Sequence, residues 1–404
     1  MFSDDGRLKA WWCHSGFYPL GMGPAPSTEP GAVSDPRPVI AVSMGDPLGI
    51  GPEITVKALA DRRLRSRARF RVFGWAYAMH RAAQHAGIEP YWWRAGYVAA
   101  EGLTSASGVP LACLHHDVVV LEESGVALDE SLLEAIPGPT KAGGAASFRW
   151  VEDALACAML RKDDPRAAAA IVTAPIAKEA WNLAGAPAKK FPGHTELLAA
   201  RCGSKRFAML FVGPVLVVSL ATVHVPLASV PELLSIGRVF DAIELTHQAC
   251  MEMVRTSAGG GGRPRIAVCG LNPHAGEHGL MGDEEQRIIA PAIALAVRAG
   301  IDAVGPLPGD SVFLAAAKQK FDAVVAMYHD QGLIPVKLLD REKTVNTTVG
   351  LRGAHGPIVR TSPAHGTAFD IAGKNLADAA SMRAAIELAI DLAIEIARKA
   401  AARE

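Results

Sequence analysis

Three histidines stand where an α/β protein usually places its chemistry. His224 follows the apolar run Leu216 to Leu220, in Ala221-Thr222-Val223-His224-Val225-Pro226-Leu227. His274 follows the run ending at Cys269, in Gly270-Leu271-Asn272-Pro273-His274-Ala275-Gly276-Glu277. His329 ends the run Ala323 to Met327, in Met327-Tyr328-His329-Asp330-Gln331-Gly332. Each run reads as a short buried strand, and ligands in open α/β sheets collect at the carboxyl ends of strands. Three imidazoles with an open fourth position suit a catalytic divalent ion, zinc first by ligand type. The histidines lie 50 and 55 residues apart, so no single helix can gather them and only the fold can. A lone histidine at such a place is usually a hydrogen-bonded core or loop residue; the shared setting is what favours a common site.

A second set of polar residues sits nearby in the chain. The segment Thr173-Ala174-Pro175-Ile176-Ala177-Lys178 follows a strand and leads to Phe191-Pro192-Gly193-His194-Thr195-Glu196, where a helix begins. Thr195 and the free N–H groups of that helix start can hold an anion or a hydroxyl, or Thr195 can simply cap the helix with His194 as a loop residue. Lys337, Asn346 and Arg360 flank a Gly-rich stretch. Together they can grip a phosphate through charge-assisted hydrogen bonds; singly, each reads as a solvated surface residue. No G-x-G-x-x-G fingerprint occurs, and Gly45, Gly49 and Gly51 have the wrong spacing for one, which argues against a standard Rossmann phosphate loop.

The elements that must position these groups follow from the apolar pattern. Short runs at Val39–Met44, Phe70–Phe73, Val118–Leu121, Ala169–Val172, Phe207–Val212, Leu216–Leu220, Arg265–Cys269 and Ala323–Met327 predict strands. Between them, Glu53 to Leu64, Ala145 to Arg161 and Asp283 to Ala299 have helical spacing, and an amphipathic helix closes the chain from Ser381 to Ala401. Strands alternating with helices predict an α/β protein with mostly parallel sheets covered on both faces. With 404 residues, two or three structural units are expected. Residues 1–37 lack the apolar core of a signal peptide and read as a flexible N-terminal extension outside the fold, which occupies 38–404.

Composition narrows the function classes. Half the residues are apolar and 41 Lys plus Arg balance 41 Asp plus Glu, which disfavours disorder and a general nucleic-acid binder. The six scattered cysteines form no C-x-x-C pair, against a cysteine zinc site or a disulfide scaffold and in keeping with a reducing cytoplasm. No apolar run is long enough to span a bilayer.

From Pro38 to its end the chain resembles the 4-hydroxythreonine-4-phosphate dehydrogenase family. The resemblance rests on ordered blocks: Ser43-Met44-Gly45-Asp46-Pro47 with Gly49-Ile50-Gly51-Pro52-Glu53; Gly193-His194-Thr195-Glu196; His224-Val225-Pro226-Leu227; Leu271 to Glu277; Gly305-Pro306-Leu307-Pro308; Tyr328-His329-Asp330-Gln331-Gly332; and Arg360-Thr361-Ser362 with His365-Gly366-Thr367-Ala368. It implies an isocitrate/isopropylmalate dehydrogenase-like fold, with two interleaved α/β subdomains, an active-site cleft between them, and a homodimer whose interface lies near the site. It places the metal ligands on His224, His274 and His329 and the substrate contacts on His194, Thr195, Lys337, Asn346 and Arg360. By the further likeness of residues 365–374 to a nucleotide loop, Gly366, Thr367, Asp370 and Asp378 contact NAD or NADP. The implied ion is zinc, with magnesium or cobalt as alternatives, and Asp330 and Lys337 are the candidates for proton transfer.

The implied reaction is oxidation of 4-phosphohydroxy-L-threonine to a 3-oxo acid, which decarboxylates to 3-amino-2-oxopropyl phosphate in pyridoxal phosphate biosynthesis, a cytoplasmic process. Paralogues act on D-threonate or D-erythronate 4-phosphate, or on aromatic cis-dihydrodiol carboxylates. Three departures bear on that choice: the added length at Pro187-Ala188-Lys189-Lys190, the insertion Arg352-Gly353-Ala354-His355-Gly356, and Ala177 where the family often has His before the Lys. The histidines alone also permit a zinc hydrolase, and a binding protein without catalysis would leave them dispensable.

Overall fold

The computed structural model describes residues 35–98, 108–126, 128–253, 262–340 and 342–402. The expected N-terminal extension therefore lies outside the described residues as far as position 34. The chain divides into two compact units: Met1–His194 with His365–Arg383, and Thr195–Ala364 with Ala384–Glu404.

The first unit is built from β1 (Val39–Ser43), α1 (Gly51–Leu59), α2 (Arg62–Arg67), β2 (Arg69–Phe73), α3 (Ala76–Ala86), β3 (Trp93–Tyr97), β4 (Val118–Glu123), α4 (Lys141–Ala158), β5 (Ala170–Thr173) and α5 (Lys178–Ala184). Its strands pair in the order β3-β4-β2-β1-β5, every neighbour parallel. All five residues of β1 are buried, as expected of a central parallel strand covered on both faces. The helix expected from Glu53 to Leu64 is two helices. Asp61 interrupts it, because its carboxylate accepts from Arg63 N and caps a new start. Thr140 caps α4 in the same way, its hydroxyl accepting from Gly143 N at 3.0 Å.

The second unit comprises α6 (His194–Cys202, starting at the boundary), β6 (Ala208–Val212), β7 (Val217–Leu220), α7 (Val230–Leu233), α8 (Ile236–Glu252), β8 (Arg265–Cys269), α9 (Ala290–Arg298), β9 (Asp302–Leu307), α10 (Gly309–Ala317), β10 (Ala323–Ala326), α11 (His329–Asp340), β11 (Val345–Val349), the short hairpin β12 (Arg352–Gly353) and β13 (Gly356–Pro357), β14 (Val359–Pro363) and most of α12 (Ala380–Ala401). The run β7-β10-β8-β9 is parallel. The pairs β14-β11, β11-β6 and β6-β7 are antiparallel, but over both units the strand pairs are mostly parallel, and the α/β class that the pattern predicts is borne out. Val218, Leu220, Val324 and Ala326 pack against Phe313, Leu333 and Val336 in its core, which fixes α10 and α11 on the strands that carry the histidines.

Candidate active site

Strand register explains how two of the three histidines meet. β7 and β10 are parallel neighbours with Leu220 opposite Ala326, so both carboxyl ends leave the sheet on one edge. His224 comes four residues past Leu220 and His329 three past Ala326, and their ring centroids lie 5.5 Å apart. β8 is the next parallel neighbour of β10, so the His274 loop leaves the same edge one strand further along. Hydrogen bonds tie these ends together. Thr222 Oγ1 donates to Met327 O at 2.7 Å; Met327 N donates to Gln331 Oε1 at 2.7 Å; Gln331 Nε2 donates to Gly270 O at 2.8 Å. One glutamine thus bridges the strand ends that lead to His329 and His274, a role that nothing in its sequence setting signals.

Carboxylates orient two of the rings. His329 Nδ1 is 2.7 Å from Asp330 Oδ1, and His274 Nδ1 is 3.1 Å from Glu277 Oε2. In each ring this leaves Nε2 as the outward ligand atom, the arrangement common to metal-binding histidines. His224 and His329 are the right donors, at the right spacing, to share a divalent ion. His274 does not join them: among the described residues no group of three His, Cys, Asp or Glu side chains is gathered to hold a metal. Its loop is unusual in another way. His274, Ala275, Gly276, Glu277 and His278 all have positive φ, between 44° and 80°.

Two of the three expected phosphate-gripping residues, Asn346 and Arg360, occupy the β11-β14 pair. Thr348 lies opposite Arg360 and Asn346 opposite Ser362. Arg360 is buried, not solvated: its Nη1 donates to Thr348 Oγ1 at 3.1 Å. Thr348 Oγ1 is in turn 3.3 Å from Thr195 Oγ1. Burial lowers the Arg360 pKa from 12.5 to about 10, with Glu196 pulling it upward, so the guanidinium keeps its charge at neutral pH. Asn346 Oδ1 is buried with no hydrogen-bond partner among the described residues. Lys337 is exposed on α11. Thr348 completes this cluster and was not signalled by the sequence; in hindsight its place two residues after Asn346, on the same strand face, is the clue.

In the first unit, the loop that carries the expected cofactor contacts is braced from β1 and α1. Gly366 and Asp370 are exposed and Thr367 is half-buried. Ile50 N donates to Thr367 O at 2.9 Å, and a Cβ on Gly49 would come within 3.0 Å of Thr367. Buried Glu53 accepts from Ala377 N at 2.8 Å and from Lys57 Nζ at 2.8 Å. Lys57 also donates to the carbonyls of Ala377 and Asn375. The Gly49 to Glu53 block therefore shapes this loop directly. Asp378 Oδ1 accepts from Ala380 N at 2.7 Å, at the start of α12. His194 packs edge-on against Trp181, centroids 5.8 Å apart. Asp46, after β1, is fully buried; burial raises its pKa from 3.8 to about 6 despite the hydrogen bond from Leu48 N.

Comparison with known proteins extends this picture. Residues 99–389 match the family profile described as "Pyridoxal phosphate biosynthetic protein PdxA". The chain is 43% identical to a 4-hydroxythreonine-4-phosphate dehydrogenase of Geobacter metallireducens, over 87% of this chain and 94% of that protein. It is 42% identical to a D-threonate 4-phosphate dehydrogenase of Cupriavidus necator, over 88% and 97%. Among solved structures, a 4-hydroxythreonine-4-phosphate dehydrogenase from Burkholderia phymatum superimposes with a TM-score of 0.67 at 36% identity, covering 89% of this chain and 99% of that one.

Proposed function

The chain belongs to the family of pyridoxal phosphate biosynthetic protein PdxA, and on that premise we propose that it oxidises 4-phosphohydroxy-L-threonine at its secondary hydroxyl. The acceptor in this reading is NAD or NADP, the required ion is divalent, zinc first, and the enzyme works in the cytoplasm. The reading is carried by one observation: His224 and His329, from parallel neighbouring strands, present their rings 5.5 Å apart. When bound, the ion lowers the pKa of the substrate hydroxyl and the nicotinamide accepts hydride.

The remaining work falls to the chain's own groups. Arg360, held against Thr348, supplies a fixed positive charge for the phosphate or carboxylate end of the substrate, with Thr195, His194 and Asn346, whose Oδ1 has no hydrogen-bond partner among the described residues, as further contacts. Asp330 is engaged with His329 Nδ1 and sets that ring's tautomer. Of the two candidates for proton transfer, that leaves Lys337 for a proton on the reacting oxygen. Gly366, Thr367, Asp370 and Asp378 are the cofactor contacts in this reading, Asp378 also accepting from Ala380 N at the start of α12.

The ion's third ligand, in this proposal, is the partner subunit's His274 in a homodimer. Two features support that. No third ligand joins His224 and His329 among the described residues, and apolar side chains stand exposed beside them, Ile334 at 64% and Leu338 at 81% on α11 and Leu227 at 65% after His224. Exposed apolar patches of this kind mark protein interfaces.

Identity to relatives named for two different substrates is almost equal, so D-threonate or D-erythronate 4-phosphate is the second reading. Reduced-nicotinamide formation with each phosphorylated acid, before and after treatment with a chelator, decides between them. Activity on 4-phosphohydroxy-L-threonine, lost on chelation and restored by zinc, is expected. Inactivity on that compound with turnover of a sugar-acid phosphate would replace the first substrate with the second.

A further inference from the structure

The His274 turn needs support that its own sequence does not give. Five successive residues with φ between 44° and 80° form a turn of left-handed helix, and only Gly276 among them lacks a Cβ. L-residues disfavour that conformation because Cβ crowds the following carbonyl oxygen, and runs of it are not stable alone. Something outside the turn must hold it.

We propose that Glu285 is the positioning residue that holds this turn so that His274 is presented as a ligand before the ion arrives. The inference rests on the reading of His274 as a metal ligand. Glu285 is 3% exposed. Its Oε1 accepts from Leu271 N and Asn272 N, both at 2.7 Å, the two backbone donors through which the chain leaves β8. Its Oε2 accepts from Asn272 Nδ2 at 3.0 Å. Three glycines leave room for this carboxyl group and its partners. A Cβ on Gly276 would lie 2.6 Å from Glu285 Oε2, one on Gly270 would lie 3.1 Å from Oε1, and one on Gly282 would lie 2.5 Å from Asn272 Nδ2. The entrance to the turn thus closes on a single side chain, and its middle residue, Gly276, lies against the same carboxyl group. Glu284 adds a second acceptor for Asn272 Nδ2 at 2.7 Å, and Gln331 fixes the preceding carbonyl of Gly270. Glu285 touches neither ring nor substrate; it acts through backbone geometry, in the manner of outer contacts that orient metal ligands.

The test is titration of the metal-free dimer of the full chain with Co2+, read by its visible absorption band, for wild type, Glu285→Gln, His274→Ala and the double variant. His274→Ala is expected to weaken Co2+ binding by about 10-fold or more, and Glu285→Gln by about 10-fold. In the His274→Ala background Glu285→Gln should have no further effect, which a general loss of structure would not reproduce. Wild-type affinity in Glu285→Gln, alongside a weakened His274→Ala, overturns the inference and leaves the ligand reading standing. An equal loss in both backgrounds overturns it as well. Wild-type affinity in His274→Ala removes the ligand reading, and the inference with it. Should Glu285→Gln not fold, Gly276→Ala crowds the same carboxyl group from within the turn; it must weaken Co2+ binding, and unchanged binding refutes the proposal.

Discussion

Replacing Asp46 by asparagine isolates the cost of one buried charge. The side chain is wholly inaccessible. Its Oδ1 accepts from Leu48 N at 3.0 Å, while its Oδ2 has no hydrogen-bond partner among the described residues. Burial raises its pKa from 3.8 to about 6. Between those values the folded chain keeps a proton that the unfolded chain has lost, so folding stability falls as pH rises from about 4 through about 6 and is level above that. A shift of about two units corresponds to about 3 kcal/mol by pH 7. Asparagine keeps the acceptor for Leu48 N but places an amide N–H where Oδ2 stood, at a cost of about 1–3 kcal/mol that does not depend on pH.

The absolute stabilities of the two proteins can therefore fall in either order, but the difference between them must change in the variant's favour by about 2–3 kcal/mol between pH 4 and pH 7. Urea unfolding followed by tryptophan fluorescence reads this cleanly. The tryptophans in the described residues, Trp75, Trp92, Trp93, Trp150 and Trp181, all belong to the unit that contains Asp46. A difference that stays constant across that range would show that Asp46 does not titrate in the folded protein as its burial requires.

Other expectations follow from the same contacts. His224→Ala should lower affinity for Zn2+ by about 10-fold or more without moving the thermal midpoint of the metal-free protein, measured by chelator competition and calorimetry. Leu338→Glu should shift the sedimentation profile from dimer to monomer and weaken metal binding with it; a variant that stays dimeric and binds metal normally would place the interface elsewhere. Glu53→Ala should leave Ala377 N without its acceptor, destabilise the first unit by about 1–3 kcal/mol and raise the Kd for NAD in calorimetric titration. Gly144→Ala should cost about 1–3 kcal/mol in urea unfolding, because its Cβ would lie 2.0 Å from the carbonyl oxygen of Ala180 where α4 meets α5.

Much of the scaffold was legible because parallel strands buried on both faces are written as unbroken apolar runs. Val39–Ser43, residues 118–121 and Ala323–Ala326 are of that kind. Strands outside that pattern are less legible, among them Trp93–Tyr97 and Asp302–Leu307; two of them are polar in composition, Val345–Val349 reading VNTTV and Val359–Pro363 reading VRTSP, yet the second is buried throughout. Their threonines and Arg360 bond to one another, so burial there comes from paired polar groups that no hydropathy pattern reports. The same blindness made Arg360 look like a surface residue. The meeting of His224 and His329 was inferable from strand ends alone, whereas the separation of His274 depended on strand order, which spacing does not encode. Its left-handed turn was hidden for a related reason: four of its five residues are types that rarely adopt that backbone, and the carboxyl group beneath it comes from outside the turn.

The contact between Glu53 and Ala377 spans 324 positions of the chain. The first unit thus cannot be completed until Thr195–Ala364 of the second has been made, since His365–Arg383 belongs to it. A nascent chain must carry the first unit unfinished while Thr195–Ala364 of the second is made, and a stop between Ala364 and Arg383 leaves both units incomplete. Loss of His365–Arg383 would uncover, within the first unit, the apolar places that buried Ala377 and Ala379 fill, and an uncovered apolar surface of that kind invites aggregation.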